Sequence, residues 1–449
     1  MNTRCIRPLL VVSFALQSPG TAQESARINF ERYTLPNGLT VILAPDRNAQ
    51  VVTVDVWYNV GSRNEVPGRT GFAHLFEHMM FQGSENVPKA QHFQLIERAG
   101  GTMNATTAED RTNYFQTLPS NRLNLGLWLE ADRMRSLAIT QENFDNQREA
   151  VKEERRLRVD NQPYTAALFE GMYLLADSST CFPYAHSVIG SMEDLNAARL
   201  EEVQEFFDLY YAPNNAVLTV VGDFDPAEAK DLIQQYFGSI PRGRDPPPVR
   251  CDQQFNPGLI RRTWPDRNAN LPAVMLAYRT PEYRHADMAA LELLAAILGQ
   301  GESSRLNREV VRRERLAQFA IVLANPAGPR RGPGAFLALA VANQGVTADS
   351  LERGLLVEFD RVVREGVTEA ELNRAKNAYR TRAITLQQQS LYRAEALQTA
   401  NLFLGDPEAV NTDWQRYLAV TVEDIRRVAS TYLRTENALI LLITPEANR

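Results

Sequence analysis

The sequence echoes itself, and that echo limits the fold more than any other feature. Residues 74–83, His-Leu-Phe-Glu-His-Met-Met-Phe-Gln-Gly, align without gaps on residues 292–301, Glu-Leu-Leu-Ala-Ala-Ile-Leu-Gly-Gln-Gly. Later, Leu200–Val221 recurs as Ile425–Ile443, with Pro213-Asn214-Asn215-Ala216-Val217-Leu218 echoed by Thr435-Glu436-Asn437-Ala438-Leu439-Ile440. Two blocks in the same order imply two halves built on one plan. At 449 residues the chain is too long for one ordinary core and suits two domains of about 200 residues.

Local signals give each half its class. Asn37-Gly38 is a strong turn between Phe30–Leu35 and Leu39–Leu43, and Val51–Val60 continues as a strand. Helices are expected around 71–82, 88–99, 121–136 and 141–160, with a strand at 216–222. Strands and helices in separate runs indicate an α+β domain, its helices packed on a largely antiparallel sheet. Pro246-Pro247-Pro248, within Pro241–Gly258, marks a stiff, extended spacer. The expected division is 27–240, a linker over 241–262, and a homologous second domain over 263–449.

The two copies differ in chemistry. His74-Leu75-Phe76-Glu77-His78 in the first reads Glu, Ala and Ala at the three polar positions of the second. On a helix, His74 and His78 lie one turn apart on one face, with Glu77 beside them. Phe72, Leu75, Phe76, Met79 and Met80 make that helix strongly apolar and therefore buried. Buried imidazoles and a buried carboxylate are costly without a partner, and a cation supplies one. Two histidines at this spacing hold zinc, and an adjacent carboxylate takes a proton from water activated there. The order reverses the commoner His-Glu-x-x-His zinc helix.

A catalytic zinc takes three protein ligands, so a third must come from elsewhere. The segment 142–157 reads as a charged helix with Phe144, Ala150, Val151 and Leu157 as its apolar residues. At roughly 100° per residue, Glu154 falls within about 10° of the centre of that face, while Glu149 and Glu153 point away. Gln147 shares the inward stripe.

Together these segments resemble the pitrilysin/insulinase/mitochondrial processing peptidase family, whose signature is His-x-x-Glu-His and a ligand glutamate at the place of Glu154. The likeness includes Leu35-Pro36-Asn37-Gly38-Leu39, Gly61-Ser62-Arg63, Gly100-Gly101-Thr102-Met103-Asn104-Ala105, Tyr211-Ala212-Pro213-Asn214-Asn215, Val221-Gly222-Asp223-Phe224 and Ser303-Ser304-Arg305-Leu306. It therefore covers nearly the whole chain after residue 27. The resemblance implies one zinc ion held by His74, His78 and Glu154, with Glu77 as general base on zinc-bound water. It also implies two halves facing each other as half of a clamshell chamber. Gly100–Thr107 reads as an edge strand on which an extended substrate lies. By resemblance the backbone around Asn104 and Ala105 takes that role, and the Asn104 side chain bonds substrate near the metal.

Two positions depart from the family pattern. Many relatives carry a second glutamate seven residues before the ligand one, where this chain has Gln147. Many also place an Arg and a Tyr, seven residues apart, in the second half to hold substrate and polarise the scissile carbonyl. The corresponding residues here are Val311 and Gln318.

The chain's start adds a destination. Arg4 and Arg7 precede the apolar run Leu9–Leu16, and Gly20-Thr21-Ala22 follows as a cleavage site. That is the pattern of a secretory signal peptide over residues 1–22, which implies export, most simply to a periplasm. No other stretch is apolar enough for a transmembrane helix. Cys5 leaves with the signal; Cys181 and Cys251 either pair or remain free thiols. The net charge of −6 gives no reason to expect nucleic acid or anionic membrane as a partner.

The expected function is a zinc endopeptidase acting on unfolded peptides. The alternatives are a non-catalytic scaffold and a zinc- or peptide-binding protein without turnover. Two domains supply half of the four-domain chamber of the longest relatives, so association is expected. The favoured partner is a homologous subunit carrying the Arg/Tyr clamp, with a homodimer as the alternative.

Overall fold

The computed structural model describes residues 27–252 and 258–446; the expected signal peptide lies outside them. Among the described residues eleven strands form two sheets with one topology. The first holds β1 (Glu31–Thr34), β2 (Thr40–Pro45), β3 (Val51–Tyr58), β4 (Thr102–Thr107), β5 (Thr112–Pro119) and β6 (Ala216–Gly222), in the order β1-β2-β6-β3-β5-β4. The second holds β7 (Ile260–Asp266), β8 (Ala273–Thr280), β9 (Ala317–Ala324), β10 (Gly334–Ala342) and β11 (Leu439–Pro445), in the order β7-β11-β8-β10-β9. Without β1 the orders superpose strand for strand. Each sheet has one parallel pair, β2–β6 and β7–β11, and is otherwise antiparallel. The aligned blocks 74–83 and 292–301 fall on equivalent helices, Phe72–Met79 and Met288–Gly299.

The hairpin turns at Asn37-Gly38, where Gly38 has φ 94°, a left-handed conformation that glycine adopts without strain. Four helices of the first half cover one face of its sheet: α1 (Phe72–Met79), α2 (Gln91–Arg98), α3 (Leu123–Ser136) and α4 (Gln141–Arg155). They bury Leu75, Phe76, Met79, Ile96, Leu127, Phe144 and Val151 there. Thr140 caps α4, its hydroxyl accepting from the Asn143 amide at 3.2 Å.

The opposite face of each sheet is covered by the other half. The helix Ser390–Thr399 lies on β3 and β6, burying Ala394 and Leu397 against Ile42, Ala44 and Val221. Its Gln398 amide donates to the Val217 carbonyl at 2.9 Å, and its Glu395 accepts from Asn113 at 2.7 Å. In return the segment Thr165–Leu175 buries Ala167, Met172, Tyr173 and Leu175 against Met275, Leu337, Leu441 and Ile443 of the second sheet.

Three expectations shift. The strand at the edge begins at Thr102, because Gly100, φ 80°, turns the chain out of α2. Helix α4 passes at Arg156–Asp160 into a π-helical turn, which swings Leu157 outward to 56% exposure. It is therefore not part of an apolar face. Residues 241–252 form neither helix nor strand, and β7 begins at Ile260, within the segment read as the spacer.

Cys181 and Cys251 form a disulfide that closes 70 residues of chain. In the loop-entropy account such a closure is worth about 4 kcal/mol. Cys251→Ser, or reduction of the unmodified chain, is expected to lower the first unfolding transition by several degrees in a thermal melt. An unchanged melt under reducing conditions counts against a stabilising bridge.

Candidate active site

Helix α1 and helix α4 pack side by side, and this contact assembles the site. His74 and His78 rise from successive turns of α1, their rings 4.9 Å apart and steeply inclined at 78°. Glu154, at the end of α4, meets both: its Oε2 lies 3.1 Å from His78 Nε2 and 3.7 Å from His74 Nε2. One ligand atom from each of the three lies within 4.8 Å of the others. Among the described residues this is the one such group.

A tetrahedral zinc with bonds of about 2.0–2.1 Å separates its ligand atoms by about 3.3 Å. The two measured separations bracket that value, so the residues fit zinc. Protonation fits as well. Burial, then the neighbouring His78, push the His74 pKa down to about 4, leaving the neutral imidazole that a metal requires. The hydrogen bond with His78 helps hold the Glu154 carboxyl below its ordinary range, so it is ionised. Glu149 and Glu153 are both 56% exposed and turned to solvent, as the helix periodicity predicts.

Glu77 points into the same space without joining the trio. Burial pushes its pKa up, opposed by a hydrogen bond from Thr107 and by His78. The Thr107 hydroxyl donates to Glu77 Oε2 at 2.6 Å. Thr107 ends β4, so the strand at the sheet's edge also aims the carboxylate. Sequence reasoning does not find it: a threonine in an edge strand carries no local sign of its partner on another element.

These groups line a cleft of about 790 Å³ between the halves. Asn104–Glu109 form one wall, Phe81 and Phe93 another, and Leu323, Pro326 and Ala327 of the second half face them. β4 is the outermost strand, paired on one side only, through Asn104↔Phe115 and Ala105↔Tyr114. Both expected contact residues, Asn104 and Ala105, line the cleft. However, Asn104 Oδ1 accepts from the Ala105 amide at 2.9 Å, so this oxygen is engaged within the strand. Gln147 is buried beside the cleft, its amide donating to Asn146 at 2.7 Å.

Arg158 also faces the cleft, and among the described residues it is the one lysine or arginine in the lining. Its guanidinium is mostly exposed and lies 2.8 Å from Glu154 Oε1. It follows Glu154 by one turn, through the π-helical segment that sequence periodicity does not foresee. Val311 is partly buried against the second core and Gln318 is exposed on β9; neither lines the cleft.

Residues 40–190 match the insulinase family, peptidase family M16, and residues 197–379 match the peptidase M16 inactive domain. The chain is 32% identical over 423 residues to zinc protease PqqE of Helicobacter pylori, covering 92% of this chain and 93% of that one. The chain belongs to peptidase family M16. A solved protease from Helicobacter pylori superposes with a TM-score of 0.87 at 30% identity, over 93% of this chain and all of that one. Pitrilysin shares the fold, with a TM-score of 0.73 at 16% identity, and there the match spans 95% of this chain but 46% of the other. The family match with residues 197–379 takes in the half whose equivalent helix carries Glu292, Ala295 and Ala296.

The cleft's two walls are joined by buried charge. Glu109, in the turn after β4, accepts from Tyr173 at 2.8 Å and pairs with Arg330 of the second half. Next to it Asp110 accepts from Arg63 at 2.7 Å, from Tyr184 at 2.9 Å and from the Arg331 amide at 3.1 Å. Glu109→Gln leaves the Arg330 charge buried without its counter-ion, a change that costs about 3–5 kcal/mol. The expected result is a clearly lower urea midpoint, against a shift within about 0.5 kcal/mol for Glu149→Gln on the surface. Equal midpoints for the two variants contradict this account.

Proposed function

We propose that the protein is a zinc-dependent endopeptidase that hydrolyses unfolded peptides or small polypeptides. The observation that carries this reading is the meeting of His74, His78 and Glu154 beside Glu77, on the wall of a cleft edged by a strand with one free side. A pure scaffold has no physical need of that set, and a protein that only stores zinc has no need of Glu77 or of the open edge of β4. The zinc proteases among its relatives support the same reading.

Zinc held by His74, His78 and Glu154 would supply Lewis-acid chemistry, lowering the pKa of water and polarising a carbonyl. The chain's own residues do the rest. An extended peptide adds to β4 through backbone hydrogen bonds, which selects for an unfolded segment. Glu77, oriented by Thr107, accepts the proton of the attacking water and hands it to the departing amine. Phe81, Phe93 and Leu323 make much of the cleft apolar, which limits water around the reacting carbonyl.

Glu77→Gln is expected to keep one zinc per chain and to lose peptide cleavage, whereas His78→Ala loses the metal. Metal analysis of both variants alongside a peptide assay checks this. Near-normal turnover by Glu77→Gln would sink the assignment, and metal without turnover in the unmodified chain would favour the binding protein.

The partner we favour is a homologous subunit bearing the Arg/Tyr pair that Val311 and Gln318 replace. An oxyanion donor of that kind is worth about 10²–10³ in rate. Arg158 supports the homodimer as second reading, because it places a guanidinium in the cleft of this chain itself. Solution mass, with peptide cleavage measured with and without a homologous subunit, separates the two; full activity from the isolated chain rejects the need for an external clamp. We place the protein outside the cytoplasm, most simply in a periplasm. The signal-like residues 1–22 and the disulfide support an oxidising compartment. N-terminal sequencing of native protein should begin near Gln23, and an intact Met1 on cytoplasmic material rejects export.

A further inference from the structure

The start of α1 is held by a buried pair that the proposed chemistry does not use. The first N–H groups of a helix have no partner within it, and α1 has no capping side chain at its N-cap, Gly71. Glu65, fully buried, meets them with both oxygens: Oε2 accepts from the Gly71 amide at 2.9 Å and Oε1 from the Ala73 amide at 2.8 Å. Ala73 is the residue before His74.

A buried carboxylate needs compensating charge, and His186 faces it. His186 Nε2 lies 3.0 Å from Glu65 Oε2 and 3.0 Å from the Ser62 carbonyl, while Nδ1 lies 2.9 Å from the Phe182 carbonyl. A carbonyl oxygen only accepts, so both ring nitrogens must donate, and the ring that satisfies both is the imidazolium. Phe182 also stacks on the His186 ring, centroids 4.5 Å apart, and follows directly on the disulfide-bonded Cys181. The other charged or titratable groups on neighbouring elements are engaged elsewhere. Arg63 and Tyr184 bond Asp110, Asp194 accepts from Thr70, Arg69 pairs with Glu202, and Arg155 bonds Glu170 and the Gly190 carbonyl.

We propose that Glu65 and His186 are positioning residues for the metal centre: the imidazolium holds the carboxylate on the first amides of α1 and so fixes how His74 and His78 present their ring nitrogens. The inference rests on reading α1 as the metal-bearing helix of the proposed peptidase. Burial disfavours the charge on His186, but the bonds and charge of Glu65 and the two carbonyls outweigh it and hold the imidazole above its ordinary pKa. A raised group stabilises fully below its unfolded value of about 6.5 and ceases to do so as pH climbs through the folded value. The pair therefore loosens on the alkaline side.

The test uses the full chain with zinc and ¹³C-labelled histidine. There are five histidines, and His186→Gln assigns the signal. His186 is expected to keep the imidazolium resonance to a higher pH than a free histidine in the same buffer; a His186 that turns neutral with the free histidine or before it overturns the inference. Zinc affinity, read by competition with a chromophoric chelator, should be about tenfold weaker in His186→Gln at about pH 6.5. The two proteins should converge once the pH has climbed past the titration of His186. A constant offset at every pH, or no loss, overturns it too. Should His186→Gln fail to fold, Glu65→Gln takes its place, and the resonance of the unmodified chain remains decisive. A chain that binds no zinc sinks the peptidase reading along with this one, whereas a zinc-bearing chain with neutral His186 sinks this one alone.

Discussion

A β-sheet with apolar side chains on both faces cannot stop at one layer of helices. In the first half Val52, Val54 and Val56 of β3 face α1–α4, while Ile42, Ala44 and Val221 turn the other way. The chain meets the second demand by exchange. Ser390–Thr399 crosses to the first sheet and Thr165–Leu175 to the second, so each sheet becomes the middle of a sandwich that neither half completes alone. The depth of the cleft, the approach of Leu323 to the edge strand, and the Glu109–Arg330 pair all depend on that exchange.

Charge is arranged around the cleft in two grades. The enclosed groups Asp110, Arg330 and Glu65 are each matched by opposite charge, and the two carboxylates also by hydroxyl or amide donors, as a low-dielectric interior demands. The groups that face the cleft are less completely satisfied. Glu77 keeps one strong bond, from Thr107, and Glu154 is shared between two imidazoles and Arg158. The enclosed charges hold a shape, and the less enclosed ones are left with capacity for something else.

Much of this is legible in the sequence, for identifiable reasons. His74, His78 and Glu77 can be placed on one helix because their spacing is local, and Glu154 because helical periodicity survives from Phe144 to Val151. The repeat discloses two halves of one topology, since 74–83 and 292–301 keep their apolar rhythm even where the polar residues differ. What stays hidden depends on contacts between distant segments. Thr107, Glu65 and His186 look unremarkable in their own neighbourhoods, and only folding brings His186 to Glu65, 121 residues away. The outward swing of Leu157 escapes for another cause: a π-helical turn breaks the 100° rotation on which the inward stripe depends. The Cys181–Cys251 bridge is one of two open readings in the sequence, because spacing alone does not report proximity.

The exchange of helices also orders events in time. A ribosome releases this chain from the first residue onward, and by the time β6 is out every strand of the first sheet has appeared. The layer that covers its far side, residues 390–399, comes nearly 170 residues later. Until then Ile42, Ala44 and Val221 have nothing to lie against, and a half-made chain exposes a sticky sheet surface. Synthesis and folding are therefore coupled, because the first half cannot bury both faces of its sheet before those later helices arrive.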